Sequence, residues 1–363
     1  MRVVVKIGTS SITTSEGNIN SSAVSALCDE VATLRKLNHE VLIVTSGAVA
    51  GGVAALKLSQ RPTDMLTLQA LAAAGQSRLM QEYNVQLDRH QLVSAQVLLV
   101  PNDFIDRDQY LHARQTLVRL LELGCVPVIN ENDAIASDEI RFGDNDRIAA
   151  LVAHSVSADV LILLTDLKGL FTADPSVDSK ATFIETVEAD DELLSVRAGS
   201  SINTRGSGGM ASKLAAARIA SWSGVRTVIA SAKRPNVVID ALNKVADAGT
   251  QFLPRKRELT ARKLWIAFAA QPTGSVTVDE GARDALIQKT VSLLHAGVTE
   301  VTGDFDIGDT IEVKDNRGVV FARGMSGVTA MQAGASSGRH SRDLADGVAQ
   351  EVIHRDDLVV LIG

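Results

Sequence analysis

The sequence predicts an α/β fold, a three-layer αβα sandwich with a mostly parallel central sheet, followed by a small β-barrel. Three observations predict it. Short β-branched runs alternate with longer stretches of helical period, those runs are apolar at nearly every position, and after about Leu253 the pattern changes to short strands divided by glycine turns.

The first run, over residues 3–7, reads as a strand. Val24, Leu27, Val31, Leu34 and Leu37 then recur on one helical face, with Asn20, Ser21 or Ser22 available as N-cap. Further strands are expected over 41–45, 93–100, 126–129, 160–165 and 227–230. Strand, helix, strand in this order is βαβ grammar, and strands apolar on both faces suit a sheet covered by helices on both sides. The polar stretch Pro254-Arg255-Lys256-Arg257-Glu258 marks a boundary. The expected division is a first domain over 1–253, a linker over 254–273 and a second domain over 274–363. In the second, 275–278, 298–302, 310–313 and 319–322 read as strands and 282–286 as a helical segment, with Gly303, Gly308 and Asp315-Asn316-Arg317-Gly318 as turns.

Composition narrows the function classes. At 363 residues, 45% of them hydrophobic, the chain can bury a large core and a smaller one. A net charge of -7 and an aromatic share of 3% argue against nucleic acid as the main partner. Arg317, Arg323, Arg339, His340 and Arg342 give the second domain some basic character, which Asp304, Asp306, Asp309, Glu312, Asp343 and Asp346 offset. Cys28 and Cys125 lack the spacing of a metal site or redox pair, and the seven histidines are scattered, so no metal ligand set is expected. The chain opens on a strand rather than a leader, and no apolar run reaches the length of a membrane span, so a cytoplasmic setting is expected.

In open α/β sheets ligands sit beyond the carboxyl ends of the strands. Those ends are polar and glycine-rich here: Lys6-Ile7-Gly8-Thr9-Ser10, Thr45-Ser46-Gly47-Ala48 with Gly51-Gly52 following, Asn130-Glu131-Asn132-Asp133, and Thr165-Asp166 with Lys168-Gly169 behind. Glycine lets backbone N–H groups approach phosphate oxygens, although an ordinary strand-to-helix turn is the commoner origin of either of the first two loops taken singly. Gly206-Ser207-Gly208-Gly209-Met210-Ala211-Ser212-Lys213 is more specific, because the glycines open directly onto a helical stretch and place Lys213 where an ammonium reaches a phosphate. Lys6 ends a strand that should be buried, which implies a phosphate or an acidic partner. Gly143-Asp144-Asn145-Asp146 precedes a helix expected to begin near Arg147; its carboxylates suit helix caps, or a group that holds two lysines in place for phosphoryl transfer.

Together these stretches, in this order, resemble the amino acid kinase family, and within it the members whose phosphate acceptor is the side-chain carboxylate of glutamate. The matching segments are Val5-Lys6-Ile7-Gly8-Thr9-Ser10, Val44-Thr45-Ser46-Gly47-Ala48, Pro127-Val128-Ile129-Asn130-Glu131-Asn132-Asp133, Phe142-Gly143-Asp144-Asn145-Asp146, Leu164-Thr165-Asp166-Leu167-Lys168-Gly169-Leu170 and Gly208-Gly209-Met210-Ala211-Ser212-Lys213. Val276-Thr277-Val278-Asp279-Glu280-Gly281, with Gly303-Asp304-Phe305 and Gly308-Asp309, is similar to PUA domains.

The resemblance implies the amino acid kinase fold and an ATP-dependent phosphorylation of the γ-carboxylate of L-glutamate, the first step of proline synthesis, with feedback inhibition by proline. It implies Lys6 and Lys213 as catalytic cations and Asp146 as their organiser. Ser46, Gly47, Asp133 and Asn145 fall at glutamate-side positions. Lys6, Gly8, Thr165, Asp166, Ser207, Gly208, Gly209, Met210, Ala211, Ser212 and Lys213 fall at nucleotide-side positions. It further implies Mg²⁺ bound chiefly through the nucleotide phosphates, and a homodimer or homotetramer.

Overall fold

The computed structural model describes residues 1–14, 17–104, 106–135, 145–173, 178, 180–189, 209–255, 259–270, 272–345 and 347–361. Contacts divide the chain into two compact units, Met1–Glu258 and Leu259–Gly363.

The first unit begins with β1 (Arg2–Ile7), the single turn α1 (Thr9–Ile12) and α2 (Ser21–Lys36). Of the three candidate caps, Asn20 is the one used, its side chain accepting from Ala23 N at 3.2 Å. β2 (Glu40–Val44) leads into a helical hairpin, α3 (Ala48–Ala55) and α4 (Met65–Asp88), then β3 (Ser94–Leu99), α5 (Arg107–Glu122) and β4 (Val126–Glu131). α6 (Asn145–Ser155), β5 (Val160–Thr165), the short β6 (Thr186–Val187), α7 (Met210–Trp222), β7 (Arg226–Ser231), α8 (Val237–Leu242) and β8 (Thr250–Phe252) complete it.

The sheet runs β3-β4-β2-β1-β5-β7-β8-β6. Its first six strands are parallel; β8 pairs antiparallel with β7 and carries β6 beside it. β8 and β6 went unread in the sequence because two or three residues give no periodicity to detect. Helices α2, α4 and α8 pack one face, where Val3, Val5 and Ile7 of β1 join Val24, Leu27 and Val31 of α2 and Leu79 and Tyr83 of α4. Each such fully buried aliphatic side chain contributes about 1.5–3 kcal/mol.

The glycines of the α3–α4 hairpin serve packing. A Cβ on Gly52 would fall 2.0 Å from Leu71 O, and one on Gly75 only 1.8 Å from Ala48 O. The two helix backbones therefore approach more closely than any side chain allows, which presses α3 and the end of β2 against α4.

The second unit starts with α9 (Ala261–Leu264) and a π-helical turn, Trp265–Ala269, so part of the stretch read as linker is helical, with Leu264 and Ile266 buried. There follow β9 (Gly274–Val278), α10 (Glu280–Gln288), β10 (Leu293–Leu294), β11 (Val298–Gly303), β12 (Thr310–Lys314), β13 (Val320–Met325), α11 (Ala330–Ser336), β14 (Glu351–Ile353) and β15 (Leu358–Val360). A five-stranded sheet, β11-β9-β12-β13-β15, and a β10-β14 ladder enclose Val276, Val278, Ile311, Val313 and Phe321.

Candidate active site

Side chains alternate along β1: Val3, Val5 and Ile7 enter the core beneath α2 and α4, so Lys6 faces the other side of the sheet. A lysine only 3% exposed there needs a counter-charge. Asp146 supplies it, with Oδ1 2.7 Å from Lys6 Nζ. The other oxygen, Oδ2, lies 3.2 Å from Lys213 Nζ and accepts from Ser212 Oγ at 2.7 Å. One carboxylate thus holds two ammonium groups, brought by the end of β1 and the first turn of α7. Asp146 lies inside the first turn of α6, which begins at Asn145 rather than near Arg147, and its carboxylate serves the lysines instead of capping the helix.

Burial alone would raise the Asp146 carboxyl, but the charges and hydrogen bonds of Lys6, Lys213 and Ser212 outweigh it and hold it at about 2. Burial lowers the Lys213 ammonium below the usual lysine range; Asp146 opposes that shift and Lys6 reinforces it. Two cations against one anion leave the cluster with excess positive charge, an arrangement suited to receiving an anion.

The backbone around the cluster is open. A Cβ on Gly8 would lie 3.4 Å from Lys6 Nζ, so the glycine keeps the approach to that ammonium clear. Gly209 caps α7 without a side-chain bond and Ser212 N turns back to Gly209 O at 3.2 Å, so this 13-residue helix brings its N-terminus, an end suited to an anion, beside Lys213. Met210 and Ala211 form the start of that helix. Thr165 ends β5, the neighbour of β1, and donates through Oγ1 to Asp166 Oδ1 at 3.0 Å. Asp166 in turn attracts Lys213.

On the β2–β4 side, Asn145 Nδ2 donates to Ser46 Oγ and to Asn130 Oδ1, each at 3.1 Å, while Asn145 Oδ1 accepts from Glu131 N at 3.1 Å. Gly47 adopts φ 102°, a left-handed conformation that turns β2 into α3 and that a side chain would strain. Asp133 follows β4 in a 3₁₀ turn, buried, with no hydrogen-bond partner for Oδ1 among the described residues. Burial pushes its carboxyl up to about 6, against the pull of Arg61.

Of the positions singled out in the sequence, Lys6, Asp146, Ser212 and Lys213 meet in one cluster, and Ser46 and Asn145 bond directly. Ser207 and Gly208 lie outside the described residues, as do Gly143, Asp144 and the lead-in over 201–206. Gly51 and Gly52, grouped with the ligand loops by sequence, belong to the helix hairpin instead. Sequence reasoning gave no role to Asn130 or to Gln76, which accepts from Asn130 Nδ2 at 2.8 Å. The available signal was a polar residue on the buried stripe of α4, among Leu68, Leu71, Ala72, Leu79 and Tyr83.

Residues 1–231 match the profile of the amino acid kinase family, and residues 274–348 that of the PUA domain. A glutamate 5-kinase of Thermobifida fusca is 45% identical over 99% of this chain and 93% of its own length. One of Caldanaerobacter subterraneus is 43% identical over 99% and 98%. Among solved structures, a carbamate kinase from Giardia lamblia bound to AMP-PNP superposes with a TM-score of 0.51 at 15% identity, covering 70% of this chain and 98% of that one, a likeness of fold. A match over most of the length, on a parallel sheet whose strand ends gather two lysines around one aspartate, means that this chain belongs to the amino acid kinase family.

Proposed function

We propose that this chain transfers the γ-phosphate of ATP to the γ-carboxylate of L-glutamate, releasing glutamyl 5-phosphate and ADP in the first step of proline synthesis. The observation that carries the reading is the Lys6–Asp146–Lys213 cluster, buried and in excess positive charge, at the end of a strand and next to the Asn145–Ser46 hydrogen bond. The relatives at 45% and 43% identity, named for this reaction, support the choice of acceptor.

The acceptor is already a carboxylate at neutral pH, so no general base is required. What opposes reaction is the meeting of two anions. Lys6 and Lys213 offset that repulsion, and Asp146 keeps both ammonium groups aimed at one point. The open start of α7, with Gly209 through Lys213, receives phosphate oxygens, and Thr165 and Asp166 border the nucleotide. Ser46, Gly47, Asn145 and Asp133 hold glutamate, with the buried Asp133 carboxylate taking its ammonium group. Attack is in line and forms no covalent enzyme intermediate.

Mg²⁺ fits this site as a companion of the nucleotide. Among the described residues no group of three or more His, Cys, Asp or Glu side chains could hold a metal, and both oxygens of Asp146 are engaged. Such an ion would arrive with the nucleotide and would add positive charge at the transferring group.

The test is an acceptor screen: ADP release with glutamate, aspartate and N-acetylglutamate in turn. Glutamate is expected to be preferred by far, and equal turnover with another acceptor overturns the assignment. The same assay with added proline tests feedback inhibition, which we propose acts near the substrate side, through the segment over 102–110 that follows β3. Light scattering tests the proposed dimer or tetramer. Among the described residues no helix is long and apolar enough to cross a membrane. A cytoplasmic setting is part of the proposal.

A further inference from the structure

A chain of amides, buried at Gln76, Asn130 and Asn145, runs from the exposed Gln96 on the edge strand β3 to Ser46. Glu131 N, a backbone donor that can only donate, lies 2.9 Å from Asn130 Oδ1 and 3.1 Å from Asn145 Oδ1. Sharing that single N–H sets the sense of each amide, oxygen toward Glu131 and NH₂ group away, and leaves its placement to the partners of its NH₂ group. The NH₂ of Asn145 then donates to Asn130 Oδ1 and to Ser46 Oγ, each at 3.1 Å. The NH₂ of Asn130 faces α4, where Gln76 Oε1 accepts at 2.8 Å, and Gln76 Nε2 donates onward to Gln96 Oε1 at 3.4 Å. The three amide-to-amide bonds share one sense, donor on the site side and acceptor toward the edge strand β3, while Asn145 gives its second N–H the other way, to Ser46. Hydrogen bonds aligned in this way polarise and reinforce one another.

The consequence falls on Ser46. Its oxygen accepts from Asn145, so its own O–H is left to donate elsewhere. With the Asn145 amide reversed, the hydroxyl would instead donate to the amide oxygen and turn its lone pairs toward an incoming carboxylate. We propose that Gln76 is a positioning residue for the acceptor: by holding Asn130, and through it Asn145, it keeps the Ser46 hydroxyl polarised as a donor to the anionic substrate. Gln76 sits where it can do this because Gly75 beside it lets α4 press backbone to backbone on α3, immediately after Ser46. This inference rests on the proposed role of Ser46 and Asn145 in binding the acceptor.

The test compares Gln76→Met, which keeps the side-chain length but cannot hydrogen-bond, with Gln76→Glu, which still offers an oxygen to Asn130. Steady-state kinetics with glutamate and ATP are measured for both, alone and combined with Ser46→Ala, alongside thermal melting. Gln76→Met is expected to raise the KM for glutamate about tenfold, leave the KM for ATP within about twofold and change kcat little, as befits loss of one buried hydrogen bond on the acceptor side. Gln76→Glu is expected to restore most of that loss. In the Ser46→Ala background, Gln76→Met should have no further effect, because the hydroxyl it polarises is gone. An unchanged KM for glutamate in Gln76→Met, or a full additional loss on top of Ser46→Ala, overturns the proposal. A Ser46→Ala enzyme with a normal KM for glutamate overturns instead the reading of Ser46 beneath it.

Discussion

Lys6 Nζ lies 2.7 Å from Asp146 Oδ1 with both side chains buried, and the remaining oxygen of that carboxylate takes Lys213, from a helix that begins more than two hundred positions later in the chain. A cation at a transferring phosphoryl group is worth having only where water does not screen it, and this burial satisfies that condition. Lys6→Ala and Lys213→Ala are each expected to lower kcat with glutamate by about 10² to 10³, with far smaller changes in either KM. Near-normal turnover in either variant removes that lysine from the mechanism.

The same cluster sets an acid limit on the fold. Asp146 is held at about 2, below its value in an unfolded chain, so its contribution to stability is complete above about pH 4 and is lost as pH falls toward 2. Protonating it would also leave Lys6 and Lys213 facing each other without their shared anion. Asp146→Asn is therefore expected to be less stable than the unmodified chain at neutral pH, by about 3 to 5 kcal/mol, as for a broken buried pair. Its melting temperature should then depend less on pH between about 4 and 2. Parallel acid-melting curves for the two proteins refute this.

Asp133 shifts the opposite way, and the consequence is for binding. Burial raises its carboxyl to about 6, so it is charged at neutral pH but protonated in mild acid. Its carboxylate form costs stability above about pH 6, and that cost fades as pH falls toward 4. A ligand ammonium needs the charged form. The KM for glutamate is therefore expected to rise as pH drops through about 6, while Asp133→Asn has a high KM with little pH dependence over the same range. A flat profile in the unmodified enzyme would refute the assignment.

How much of this was legible in the sequence depended on whether the signal was local. Five of the six parallel strands stood out because 4 to 6 consecutive buried residues leave a run that needs no partner to be recognised, as in Val160–Thr165. The need of Lys6 for an acidic partner followed from its place at the end of such a run. Which acid answered it was only one option among two for Asp146, since a helix cap and a lysine clamp look alike until α6 is placed against β1. The amide chain through Gln76 and Asn130 was not legible, because it joins α4, β4 and α6 across sequence separations of 54 and 15 positions. Gly51 and Gly52 misled for a related reason: glycine after a strand signals equally a ligand loop and a close helix crossing, and the residue that decides, Gly75, lies further along the chain in α4 and meets them only across the hairpin.

Two glycines separate packing from ligand approach in a way that stability and kinetics can resolve. A Cβ on Gly75 would lie 1.8 Å from Ala48 O, a backbone atom that cannot rotate aside, so Gly75→Ala forces α3 and α4 apart. It is expected to lower stability by about 3 kcal/mol or more and, by moving Ser46 and Gln76, to raise the KM for glutamate as well. Among the described residues Gly209 has no heavy atom within 4 Å of an added Cβ, and its φ of -67° is one any residue adopts. Gly209→Ala is therefore expected to melt within about 0.5 kcal/mol of the unmodified chain, the range of a neutral surface change. Its methyl group would nonetheless stand where phosphate oxygens reach the first N–H groups of α7, so the KM for ATP should rise while that for glutamate stays constant. Equal melting losses in the two variants, or a Gly209→Ala enzyme with an unaltered KM for ATP, would show that this glycine is there for the protein rather than for the nucleotide.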